Sequence, residues 1–169
     1  MKVYTAPEVW DKKYNYMGFD FLRIFLAGSI EQDKAVQWQN ELIKELGEFK
    51  ASKWIPELII FNPRRKSWDP SWLQRIDNPE FKKQVLWELN AMHNADITVF
   101  YFDPNSKSPV TMLELGSFKD TPEKVLVYCP EGFFKKGNVD IFCEKYNITY
   151  TADYSKFLKF LKDIIEYGL

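Results

Sequence analysis

The sequence predicts an α/β fold, a parallel five-stranded sheet with helices on both faces. Three observations predict it. Apolar runs alternate with segments of helical period. The runs are apolar at consecutive positions, as strands buried on both faces are. Turn residues separate the two kinds of segment, and strands alternating with helices build parallel sheets.

The elements follow in order. "LRIFLAG", Leu22 to Gly28, is a buried strand ending in glycine. Asp33 to Leu46 is a helix with Ala35, Trp38, Leu42 and Leu46 on one face. "ELIIF", Glu57 to Phe61, is the second strand, and "NPRRKSWDPSW" a loop punctuated by Pro63 and Pro70. A helix runs from Pro79 to Asn94, capped by Asn78, with Phe81, Val85, Leu89 and Met92 expected inward. Ile97 to Phe102 is the third strand and Pro109 to Phe118 a short helix. "KVLVYC" is the fourth strand, Val139 to Tyr146 a helix and "ITYT" a weak fifth strand. The last helix, Tyr154 to Tyr167, turns Phe157, Leu161 and Ile164 inward. This is the pattern of a flavodoxin-like or Rossmann-like three-layer sandwich with strand order 2-1-3-4-5, one domain over residues 1–169. The first 20 residues, rich in Tyr and Trp, fit an added edge strand or a lid.

Composition limits the function. At 46% hydrophobic, 28% charged and net charge −1, the chain lacks the basic excess of a nucleic-acid binder. The amino-terminal segment has no apolar leader, and no run reaches the roughly 18 residues of a membrane span. A cytoplasmic protein is expected, with Cys129 and Cys143 as reduced thiols in no metal-binding spacing.

In such sheets ligands bind beyond the carboxyl ends of the strands, where the winding reverses. The loops there are "AGSIE" and "DPNSKSPVTMLELG". Two readings fit Glu114 in the second. It belongs to a helix start, in a T-x-x-E capping box with Thr111 or behind a Ser108 cap with Pro109 in the first helical position, or it is an acid kept in a partly buried turn for use. Glu88 lies at the edge of its helix's apolar stripe, about two turns from the helix end, facing solvent or the same crevice. Two carboxylates at one pocket suit glycosyl transfer or hydrolysis, which needs neither metal nor cofactor. Gly28 and Ser29 form either a plain turn or a close backbone approach to a ligand. Arg64, Arg65 and Trp68 suit phosphate or base contacts, or a solvated loop. The single His93 has no nucleophile pattern around it.

"IFLAGSI", "WELNAMHNAD" and "SPVTMLELG", with the "NPRR..W" loop, together resemble the nucleoside 2-deoxyribosyltransferase family, from about Val3 to Asn147. The resemblance implies that Glu114 attacks C1′ of a 2′-deoxynucleoside, releases the base and holds the sugar as an ester, which a second base or water then attacks. It implies that Glu88 contacts the base and assists proton transfer. Many relatives have Asp there, and the extra methylene moves the carboxyl by about 1.5 Å, a displacement that catalysis notices. Ser108 stands where the transferases carry an acid. With Ser29 it resembles the 2′-deoxynucleoside 5′-monophosphate N-glycosidases, whose serines bind phosphate. Asn138, in "GNV", resembles the element that reaches a neighbouring subunit's site, which implies a homodimer or larger homo-oligomer. The implied partners are deoxynucleosides or deoxynucleotides and free nucleobases, with no cofactor.

Overall fold

All five predicted strands are present, and a sixth joins them. The computed structural model describes residues 1–15, 20–29, 37–48, 57–65, 69 and 71–167. Its strands are β1 (Lys2–Thr5), β2 (Phe21–Gly28), β3 (Glu57–Asn62), β4 (Ile97–Tyr101), β5 (Val125–Tyr128) and β6 (Thr149–Thr151). Its helices are α1 (Trp38–Glu48), α2 (Pro79–Asn94), α3 (Pro109–Gly116), α4 (Lys136–Lys145) and α5 (Tyr154–Tyr167). All pairings are parallel, in the order β1-β3-β2-β4-β5-β6. The five expected strands keep the expected order. The extra edge strand resolves the amino-terminal alternatives in favour of a strand.

Alternation along β2 explains the three layers. Successive side chains point to opposite faces. Leu22, Ile24 and Leu26 pack with Trp38, Leu42 and Leu46 of α1 and Phe157, Leu161 and Ile165 of α5. Phe25 and Ala27 pack on the other face with Trp87, Ala91 and Met92 of α2, Leu115 of α3, and Val139 and Cys143 of α4. Both cysteines are free thiols buried in this second layer, and burial pushes each up to about 12.

Helix α2 departs from the expected stripe. Gln84, Trp87, Ala91 and Met92 are buried, while Leu89 is 51% exposed. The amino-terminal segment is the cause. Trp10 stacks edge-on against Trp87 at 5.6 Å and lies 4.8 Å from Phe61, and Trp87 Nε1 donates to the Glu8 carbonyl at 2.7 Å. These rings draw Trp87 inward, so Glu88 belongs to the buried side of α2 rather than to its edge. In α5, Ile165 is buried in place of the expected Ile164, four residues after Leu161. The first helix, α1, begins at Trp38, with Gln37 outside it, and the expected Ala35 lies outside the described residues.

At the amino end of the sheet, Arg23 of β2 is buried against Asp96, just before β4. The guanidinium donates to both carboxylate oxygens at 2.5 and 3.0 Å, the Arg23 amide donates to Oδ2 at 2.8 Å, and Nη1 donates to the Tyr14 carbonyl. The contacts tie β2, β4 and the amino-terminal segment together at the end opposite the ligand crevice. Among the described residues no helix is long and apolar enough to cross a membrane.

Candidate active site

Glu114 lies in the second turn of α3. Ser108 is the cap residue and Pro109 the first helical residue, so of the two expected helix starts the one at Ser108 is found, and Thr111 does not cap. Thr111 is buried inside the helix instead. Ser108 has φ 44° and ψ 47°, a left-handed conformation rare for a residue with a side chain. Such outliers are tolerated where surrounding bonds hold them. Here the Ser108 amide donates to Ser106 Oγ at 3.1 Å.

Glu88 faces the same region from α2. Gln84, one turn earlier, donates from Nε2 to Glu88 Oε1 at 2.7 Å and to the Pro63 carbonyl at 2.8 Å. Both glutamates are half-buried. Burial pushes Glu88 up to about 7, with the Gln84 hydrogen bond pulling the other way. Burial first, and the charge of Glu88 second, push Glu114 up to about 8. The two carboxyls therefore feel each other, and around neutral pH the pair tends to hold one proton between them.

The carboxyl ends of β2 and β4 bring a chain of hydroxyls beside α3. Ser106 Oγ donates to Ser29 Oγ at 2.7 Å and lies 3.1 Å from Ser108 Oγ. All three serines are buried. Sequence reasoning named Ser29 and Ser108 and missed Ser106, although "NSKSP" sets two serines two residues apart beside the crevice.

Gly28 is explained by packing. A Cβ there would stand 2.7 Å from both the Trp38 ring and the Tyr101 carbonyl. The close approach is to those groups, with Trp38 stacked on Tyr101 at 4.6 Å. Gly28→Ala is expected to cost about 1–3 kcal/mol by overpacking, read as a lower urea midpoint with an unchanged slope.

The arginines follow β3. Arg64 is half-buried, its Nη1 reaching 3.5 Å to Gln39 Oε1. Arg65 lies over the face of Trp72 at 4.6 Å. Trp68 lies outside the described residues. Asn138 is exposed in the first turn of α4 and is not drawn into the cluster. Among the described residues no group of three or more His, Cys, Asp or Glu is placed to hold a metal.

Residues 22–133, well over half the chain, match the family model described as nucleoside 2-deoxyribosyltransferase like. The chain belongs to that family. For this nucleoside 2-deoxyribosyltransferase-like chain, the crystal structure of a conserved protein from Enterococcus faecalis V583 is a neighbour in fold. The TM-score is 0.57 at 14% identity, covering 85% of this chain and 98% of that one. No curated protein matches the chain. Family membership favours the deoxyribosyl reading of the carboxylate pair, and the structural neighbour bears on the fold alone.

Proposed function

We propose that the protein transfers a 2-deoxyribosyl group between nucleobases, with Glu114 as nucleophile and Glu88 as base-side acid. The observation that carries this reading is the pair itself: two carboxyls from different helices, near enough for one to raise the other. Glu114 attacks C1′ as the C1′–N bond breaks. The bonding pair goes to the base nitrogen, and the base takes the proton of Glu88. A second base attacks C1′, displaces the Glu114 carboxylate and returns its proton to Glu88. Water in place of the second base gives hydrolysis. The reaction needs one ionised and one protonated carboxyl. Burial raises both carboxyls into the same range, so the proton passes between them at small cost.

The test is deoxyinosine with free guanine, watched for deoxyguanosine. Product is expected, with kcat/KM highest near pH 7.5 and falling on both sides as the pair gains or loses its proton. No product at any pH, with the nucleoside bound, would remove the transferase reading.

The buried serine chain favours a second reading, N-glycosidase action on 2′-deoxynucleoside 5′-monophosphates. Three hydroxyls beside the amino end of α3 offer donors to a phosphate. Reaction of monophosphates alone, to free base and sugar phosphate, would select it. We also propose a homodimer. Leu86 and Leu89 of α2 and Val110 and Leu113 of α3 are exposed apolar residues, and Asn138 then serves a partner's site.

A further inference from the structure

Most of the buried side-chain atoms without a hydrogen-bond partner, among the described residues, belong to Gln39, Arg65 and Gln84. These residues are linked through the loop that leaves β3. Gln84 holds the Pro63 carbonyl, two residues before Arg65, and Gln39 meets Arg64. Arg65 is also drawn toward Glu80, one helical turn before Gln84. A donor and an acceptor without partners thus share one corner of the crevice, on the Glu88 side.

Arg65 is the costlier of the two. Its side chain is 7% exposed, yet Nε and Nη1 have no acceptor, and its ion-pair partner Glu80 stands 3.7 Å away and 50% exposed. Buried donors left in this way are strongly unfavourable unless something fills the gap. The Trp72 ring fixes the guanidinium plane, and the donors lie in that plane. Gln84 is the complement. Its Nε2 is engaged by the Pro63 carbonyl and Glu88 Oε1, so the amide cannot turn over, and Oε1 is left as an open acceptor.

We propose that Arg65 and Gln84 read the lactam edge of the nucleobase, the adjacent C=O and N–H of hypoxanthine, guanine, thymine and uracil. Arg65 donates to the carbonyl and the ring N–H donates to Gln84 Oε1. Adenine and cytosine present the reverse pattern, an amino donor beside a ring acceptor. They would set donor against donor and acceptor against acceptor. A phosphate would satisfy Arg65 but not the acceptor of Gln84, and its charge would meet Glu88 close by. The proposal rests on the deoxyribosyl reading, in which Glu88 serves the base. Gln84 then joins the base reader directly to the base-side acid.

The test has a binding arm and a kinetic arm. In the parent protein, hypoxanthine is expected to raise Tm and adenine at the same concentration to do so much less. Arg65→Met is expected to lower kcat/KM about 100-fold for deoxyinosine and thymidine, and less than about threefold for deoxyadenosine. Equal losses for every base would make Arg65 a structural support and overturn the proposal. Losses confined to 5′-monophosphates would make it a phosphate site and overturn it too. Should the variant not fold, the parent decides, since equal stabilisation by both bases sinks the idea. Selective stabilisation by hypoxanthine without turnover would uphold the reader and remove only the catalytic reading. Turnover with no preference for oxo bases would do the reverse.

Discussion

Glu114→Ala is expected to lower kcat by about 10⁴-fold or more, the usual consequence of losing a covalent nucleophile. That loss corresponds to about 5.4 kcal/mol of barrier. Folding should survive, because among the described residues no side-chain hydrogen bond holds Glu114, and it stands beside a like charge. Glu114→Gln tests the electrostatics separately. The folded carboxyl titrates at about 8 against an ordinary value of 4.5. The folded chain therefore keeps a proton that the unfolded chain has lost, and stability declines as pH rises from about 4.5 to about 8. The glutamine variant lacks this decline. Its Tm should match the parent near pH 4.5, gain on it through pH 8 and run parallel above. Identical Tm curves would mean that Glu114 is solvated and the proposed pair does not exist.

Asp96→Ala is expected to destabilise the protein by about 3–5 kcal/mol, because it leaves the Arg23 guanidinium buried and short of acceptors. The corresponding fall in Tm is roughly 10 °C for a chain of this size. The double variant Arg23→Met, Asp96→Asn should lose less than Asp96→Ala alone. It removes the buried cation and keeps an acceptor for the Arg23 amide, which now bonds Asp96 Oδ2 at 2.8 Å. Denaturant midpoints of the parent, the single and the double variants measure the difference. A double variant as unstable as the single would mean that the pair's worth lies elsewhere than in neutralising Arg23.

The sheet was legible because its strands are covered twice. A run such as Leu22 to Ala27, apolar on both faces, has no half-exposed alternative. The helices were less legible where tertiary partners chose the inward face. Phe81, Val85, Leu89 and Met92 make a plausible stripe on α2, but Trp10 and Phe61 reward the burial of Trp87 and turn Leu89 outward. Glu88 and Glu114 could be named from sequence, yet their mutual influence depends on how α2 and α3 sit on the sheet, which no local pattern records. Ser106 was missed because its significance is a contact with Ser29, 77 residues away. Gln84 was readable in principle: it stands one turn before Glu88, a spacing at which side chains meet.

The short strand β1 has a consequence for α2. Residues 1–15 cover the free edge of β3 and, through the Glu8 carbonyl and the Trp10 ring, hold Trp87. Trp87 is the neighbour of Glu88 in sequence. A truncated or bulky amino terminus would therefore slacken the helix that aims this acid. Damage to activity could then begin in a segment that carries no reacting group.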